Sequence, residues 1–229
     1  MTLPEHVTIV EIAPRDGFQN TKAFIPTEQK IRIIEGLIDS GIPKVQIGSF
    51  VSPKAIPQMQ DAEEVVRTIL ARYPKDNLSV LVPNRKGALR AVETGIPEIT
   101  YVISVTESHN KANVNRTVEE SFAELEGIIG SPDFPFDRVK LDLATSFGCP
   151  FEGMTPYTLV DDRVQRAVGA GVRELCLCDT IGTANPRQTH ELIEQLIPRY
   201  KDVDFRVHFH DTRGAGIANS LAAIETGVG

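Results

Sequence analysis

Two histidines two positions apart, His208 and His210, close the strand-like run 205–210. On a strand this spacing sends both imidazoles to one face. Near the other end of the chain, a first run (7–13) leads into Pro14-Arg15-Asp16-Gly17. Two neutral ring nitrogens and one carboxylate form a donor set suited to Mg²⁺, Mn²⁺ or Zn²⁺. Taken alone, His-x-His is as readily a hydrogen-bonded pair lining a barrel, and Asp16 at an opposing strand end is what favours a metal. Arg15, beside that carboxylate, is always charged and presents a fork that matches carboxylate or enolate oxygens, although a plain salt bridge to Glu11 would also occupy it.

Other polar residues fall at similar places along the chain: Gln46 and Ser49, Thr145, and Asp179. The loop 49–54 and the polar stretch 106–115, which contains Asn113, could hold phosphate or carboxylate groups of a ligand, or could be solvated loops.

These residues need elements to position them. Strands are predicted at 7–13, 44–50, 78–83, 99–105, 139–145, 174–178 and 205–210, and helices at 27–40, 61–72, 86–94, 114–129, 156–170, 186–200 and 217–226. Thr27 after Pro26 and Asn185 before Pro186 read as helix starts, and Gly41, Gly95, Gly171 and Gly227 as helix exits. Alternating strand and helix implies parallel strands with right-handed crossovers, and the repeated helix–Gly–apolar–strand unit points to an α/β TIM (β/α)8 barrel. In that fold functional groups gather at the carboxyl ends of the strands, which face one another across the barrel mouth. A doubly wound open sheet is the alternative, but no Gly-x-Gly-x-x-Gly turn follows the first strand. Seven units leave the barrel one short. The expectation is therefore a single domain over 1–229, truncated after the seventh β/α unit, with the eighth strand and helix missing.

The chain has 229 residues, 41% hydrophobic and 24% charged, with a formal net charge of −7. This is ordinary globular composition, and its sign argues against a broad nucleic-acid surface, which would need clustered Lys and Arg. No apolar run approaches the roughly 20 residues of a membrane span, and the first residues lack a basic start and apolar core. Three cysteines suggest free thiols in a reducing, cytoplasmic setting. Cys176 and Cys178 share one face of a strand without a matching second pair, which favours inert buried thiols over a metal or redox pair. Cys149 has no base beside it in the sequence and is not expected to be a nucleophile.

Five segments together resemble the hydroxymethylglutaryl-CoA lyase family, within a wider superfamily of metallo-lyases and Claisen-type synthases. They are Val10-Glu-Ile-Ala-Pro-Arg-Asp-Gly-Phe-Gln-Asn20, Ser49-Phe-Val-Ser-Pro-Lys-Ala-Ile-Pro-Gln-Met59, Gly148-Cys-Pro-Phe-Glu-Gly153, Cys178-Asp-Thr-Ile-Gly182 and Val207-His-Phe-His-Asp-Thr212. The second and third are the ones that point to the lyases rather than their relatives. The resemblance implies metal ligation by Asp16, His208 and His210, a catalytic set of Arg15, Asp16 and His208, and enolate stabilisation by Arg15. Gln19 and Asp179 would help to shape the substrate site, with Gln46, Ser49 and Thr145 also facing substrate, and Asn113 would lie near the acyl-CoA. It implies retro-Claisen cleavage of 3-hydroxy-3-methylglutaryl-CoA to acetyl-CoA and acetoacetate, with Mg²⁺ or Mn²⁺ as cofactor and Zn²⁺ as another candidate. An acyl-CoA is then the small-molecule partner, a homodimer is expected, and neither nucleic acid nor membrane is.

The chain departs from the family in three ways. Gln46 stands where the lyases usually carry a glutamate, and it cannot hold charge or move a proton at neutral pH. Cys178 stands where they usually have a glycine. The family's fourth metal ligand, an asparagine, and its reactive loop cysteine belong to a part beyond Gly229, so the chain is expected to be a fragment of a longer enzyme. Competing expectations are a Claisen-type synthase or aldolase acting on a 2-oxo acid, and a degenerate barrel kept for binding acyl-CoA.

Overall fold

The computed structural model describes residues 3–229. Seven strands run in one sheet in the order β1 (Val10–Glu11), β2 (Lys44–Ser49), β3 (Leu78–Val82), β4 (Glu98–Ser104), β5 (Arg138–Ala144), β8 (Glu174–Asp179) and β9 (Asp204–Phe209). A small antiparallel hairpin, β6 (Gly148–Cys149) with β7 (Gly153–Met154), interrupts the sequence order without joining that sheet. Parallel neighbours cannot be joined by tight turns, so helices carry the chain back between them. These are α1 (Thr27–Asp39), α2 (Ala62–Leu70), α3 (Arg85–Val92), α4 (Glu107–Val114), α5 (Val118–Glu126), α6 (Tyr157–Gly169), α7 (Pro186–Leu196) and α8 (Gly216–Ile224).

The chain divides into two compact units. The first comprises Thr8–Tyr101 and Gly127–Val139. In it β1 pairs with β2 through Val10↔Lys44, and β2 with β3 through Val45↔Leu78, with a register break between Gln46 and Ser49. Its core is Ile34 of α1, Val65, Val66 and Ile69 of α2, Ala88 and Ala91 of α3, and the strand residues Val45, Ile47, Leu78, Val80 and Val82, all buried. Each of the valine, leucine and isoleucine side chains contributes about 1.5–3 kcal/mol by leaving water. Lys30, buried on α1, donates to Asp61 Oδ1 at 2.5 Å and to the Gln58 carbonyl at 2.5 Å, fixing α1 to the segment that opens α2.

The second unit comprises 3–7, Val102–Glu126 and Lys140–Gly229. In it β5 pairs with β8 (Asp142↔Cys176) and β8 with β9 (Cys178↔His208), both parallel. Alternation divides the ladder into two faces. Leu141, Leu143, Leu175 and Leu177 are fully buried together with Val160, Val164, Ile193 and Leu196 of the helices. Lys140, Asp142, Glu174, Cys176, Cys178, Arg206 and His208 occupy the alternate positions. There Glu174 accepts from Arg206 at 2.5 Å and lies 3.4 Å from Lys140.

The strands expected at the seven positions are present, with corrections at the edges. The first is only Val10–Glu11, because Pro14 and a tight π-turn over Ala13–Gly17 end it. The expected helix over 114–129 is shorter, α5 at Val118–Glu126, and most of the polar stretch read as loop at 106–115 is a separate helix, α4. Asn115 ends α4 with a left-handed φ of 55°. Thr117 then starts α5 with a capping box, its Oγ1 accepting from Glu120 N at 3.1 Å while Glu120 accepts from Thr117 N at 2.8 Å. Thr27 does not cap α1: it is the first helical residue, and its hydroxyl donates to Asp61 Oδ2 at 2.9 Å. Asn185 does cap α7, accepting from Gln188 N at 3.0 Å, and all four predicted exit glycines have positive φ.

Candidate active site

Arg15 and Asp16 lie on the π-turn that follows β1, held by amide bonds from Arg15 and Asp16 back to the Ile12 carbonyl at 2.9 and 2.7 Å. Arg15 is 7% exposed. Its Nε donates to Gln46 Oε1 at 2.6 Å and its Nη1 to Asp16 Oδ1 at 2.9 Å. Gln46 in turn donates through Nε2 to Thr100 Oγ1 at 3.0 Å. A guanidinium only donates, so the amide oxygen must face Arg15 and the nitrogen must face Thr100. Glu11, the bland partner for Arg15, instead accepts from the Ala13 amide at 2.7 Å. Ser49, at the end of β2, is fully buried, and its hydroxyl has no hydrogen-bond partner among the described residues. Gln19 is half-buried. The first unit therefore joins Arg15, Asp16 and Gln46 directly.

In the second unit, His208 on β9 and His210 just beyond it are half-buried, with ring centroids 4.8 Å apart and the rings edge to face. The backbone under them is crowded. His210 N donates to the Asp179 carbonyl at 3.4 Å, and a Cβ on Gly182 (φ +63°) would stand 2.7 Å from the His210 carbonyl and 2.6 Å from Thr212 Oγ1. Only glycine fits there. Asp179 is fully buried, and its two oxygens accept from Thr183 N at 3.0 Å and Ala184 N at 2.9 Å, so this carboxylate organises the 180–184 loop ahead of α7.

Thr145 is buried with φ 59°, an uncommon backbone for a β-branched residue. Four bonds hold it: its Oγ1 donates to the Ala144 carbonyl at 2.6 Å and lies 3.1 Å from Thr106 Oγ1, its N donates to Thr180 Oγ1 at 2.8 Å, and its carbonyl accepts from Thr155 Oγ1 at 2.7 Å. Asn113, expected at the ligand, is exposed on α4.

Two residues of this region have surroundings that the sequence did not indicate. Asn110 is fully buried; its Oδ1 accepts from Ser104 N at 2.9 Å and its Nδ2 reaches the carbonyls of Arg116 and Thr117 at 3.0 Å each and Ser121 Oγ at 2.8 Å. It locks α4 to α5, and nothing in its sequence neighbourhood separated it from Asn113. Cys149 is the other. Burial raises its pKa, but donation to Sγ from Thr106 Oγ1 at 3.1 Å, from the Phe151 and Glu152 amides and from Ser108 Oγ outweighs this, so the thiol lies below its ordinary range. His109, half-buried with Nδ1 2.7 Å from Ser104 Oγ, is pushed below the usual imidazole value by desolvation.

The family model HMGL-like matches residues 6–229. The mitochondrial hydroxymethylglutaryl-CoA lyase of Mus musculus is 37% identical over 227 residues, covering 99% of this chain and 70% of the mouse protein. The solved hydroxymethylglutaryl-CoA lyase of Bacillus subtilis superposes with a TM-score of 0.94 at 38% identity, covering all of this chain and 76% of that one. A lyase from Acinetobacter baumannii, solved with coenzyme A and 3-methylmalate, gives a TM-score of 0.89 at 37% identity, covering all of this chain and 74% of that one. With a fold that matches a TIM-barrel lyase along its whole length, the chain belongs to the HMGL-like family of carbon–carbon lyases.

Proposed function

We propose that the chain cleaves 3-hydroxy-3-methylglutaryl-CoA to acetyl-CoA and acetoacetate, using a divalent cation held by Asp16, His208 and His210. The observation that carries this reading is the fixed, buried guanidinium of Arg15, clamped by Asp16 and Gln46, in a chain 37% identical to such lyases across 99% of its length. Two imidazoles and a carboxylate are a donor set that fits Mg²⁺, Mn²⁺ or Zn²⁺. The bound cation would polarise the substrate's hydroxyl and carboxylate oxygens.

The chain's own residues do the rest. Loss of the hydroxyl proton to a base lets the acetoacetate carbonyl form as the C–C bond breaks, the electron pair moves into the thioester enolate, and protonation of the enolate carbon then gives acetyl-CoA. Arg15, already desolvated and orientationally fixed, meets the charge that develops on the enolate oxygen. Gln46 keeps Arg15 in place but cannot take the proton itself. His210, its amide on the Asp179 carbonyl and its own carbonyl against Gly182, and His208, in register with Cys178, would offer their rings to the cation. Gln19, Ser49, Thr145, Asp179 and Asn113 complete the proposed substrate surface, with Asp179 and Thr145 acting through the loops that they brace. The acyl-CoA assignment draws support from the coenzyme A complex of the A. baumannii relative. We also propose a homodimer, and a reducing, cytoplasmic compartment, the latter supported by the three free thiols. Among the described residues no helix is long and apolar enough to cross a membrane.

The test is acetoacetate release from the thioester with Mg²⁺ or Mn²⁺. Activity that requires the cation and is lost in Asp16→Asn and Arg15→Gln supports the reading. Cation-independent activity, or none with any 3-hydroxyacyl-CoA, overturns it.

A further inference from the structure

The polar face of the second unit carries a second cluster of metal-ligating atoms. Cys176 and Cys178, two apart on β8, project from one face, and their sulfurs are 3.8 Å apart. Asp142 on β5, the register partner of Cys176, brings a carboxylate oxygen to the same place, and all three donor atoms lie within 4.8 Å of one another. The sequence reading dismissed the cysteine pair for want of a matching partner pair. The parallel ladder supplies the missing donor from a strand more than thirty residues away.

We propose that Asp142, Cys176 and Cys178 form a thiolate-rich site for a borderline-soft divalent ion, Zn²⁺ above all, distinct in ligand type from the Asp16, His208 and His210 set. The first argument is distance: two Zn–S bonds of about 2.3 Å opened to the tetrahedral angle hold their sulfurs ~3.8 Å apart, which is the separation the two side chains already have. The second is chemistry. Two thiolates and one carboxylate favour Zn²⁺ over the oxygen-seeking Mg²⁺ and Mn²⁺, and three protein ligands leave a fourth position for water. The third is charge and access. Lys140 and Arg206, on the same face, are ion-paired with Glu174, and Arg206 also with Asp204, so together the two cations temper rather than cancel the negative charge of the ligand set. Cys176 and Asp142 are only half-buried, so an ion can reach them. Backbone pairing on both sides of β8 fixes the two cysteines before any ion arrives, so little reorganisation opposes binding. Cys178 is also the register partner of His208, so an ion on these thiolates would stand one strand away from a proposed catalytic ligand.

The test uses Co²⁺ as a spectroscopic stand-in on the reduced, metal-stripped chain under anaerobic conditions. One equivalent is expected to give an intense near-ultraviolet thiolate-to-cobalt charge-transfer band with tetrahedral visible bands, bleached by Zn²⁺. The band should persist in His210→Ala, which separates this site from the histidine site, and disappear in the Cys176→Ser/Cys178→Ser double variant. Asp142→Asn should weaken Co²⁺ by at least the roughly tenfold that losing even an outer partner of a metal costs. A second readout needs no variant: Zn²⁺ should protect Cys176 and Cys178, but not Cys149, from alkylation mapped by peptide mass spectrometry. Cobalt bound without a thiolate band, or alkylation of the pair at the same rate with and without Zn²⁺, overturns the proposal.

Discussion

Arg15 and Gln46 are joined by a 2.6 Å hydrogen bond between groups on different elements, one on the turn after β1 and one inside β2, and both are buried. The amide therefore does for the guanidinium what a carboxylate would do geometrically, without neutralising it. Arg15 keeps more of its positive charge for an anionic ligand.

This relationship is testable by substitution. Gln46→Leu leaves Arg15 Nε without its acceptor and Thr100 without its donor, and should cost about 1–3 kcal/mol in denaturant unfolding, with kcat falling more than KM rises. Gln46→Glu, which keeps an acceptor in place, should restore the unfolding midpoint. Arg15→Gln should cost about 10²–10³ in kcat, the usual effect of removing one donor to a developing oxyanion.

Gly182→Ala should damage the site from below. Its Cβ would collide with the His210 carbonyl and Thr212 at 2.7 Å or less, and its backbone would remain at φ +63°. The His210 segment must move, so the expected result is a cation requirement raised at least tenfold, on the scale of lost outer-shell support, with far-ultraviolet dichroism retained. Unchanged cation affinity would show that the segment yields without moving the ring.

The Lys30–Asp61 pair is buried on both sides, at 2.5 Å. Lys30→Ala should cost about 3–5 kcal/mol, because Asp61 is left as an uncompensated charge, whereas replacing both partners with apolar residues should recover most of that. Urea unfolding of the two variants decides it.

Tyr200 supplies a pH signature. Burial first, and donation to Asp161 Oδ1 at 2.8 Å second, push its pKa from 10.0 up to about 12. A raised folded-state value means that the protonated phenol is favoured by folding. The associated stability is complete below pH 10 and disappears as pH rises towards 12. Tyr200→Phe should flatten the stability profile across that window, and phenolate absorbance should show one tyrosine fewer titrating late.

Much of this was legible in the sequence. Strand positions emerged because short apolar runs between glycine exits leave few other options, and Arg15, Asp16, His208 and His210 stood out because their types and spacing form a donor set for a cation beside a fixed positive charge. What was missed depended on contacts across the sequence. The break at Asn115 was readable in principle, since Thr117 and Glu120 spell a capping box, but the helical period of 114–129 masked it. The partnership of Asp142 with Cys176 depends on the register of two strands, which no local pattern encodes. Asn110 and Asn113 are chemically identical and three residues apart, and only the packing of α4 on α5 decides which is the structural hub.

The two-faced ladder of β5, β8 and β9 separates two kinds of inheritance. Its leucines answer to volume, and a change there must be matched by the helices that enclose it. Its alternate positions, from Lys140 and Glu174 to Cys178 and His208, carry charges, thiols and an imidazole, and a change there leaves the apolar side untouched. Such a scaffold can acquire new chemistry in single steps, because the residues that fold it and the residues that line it are different letters of the same strand.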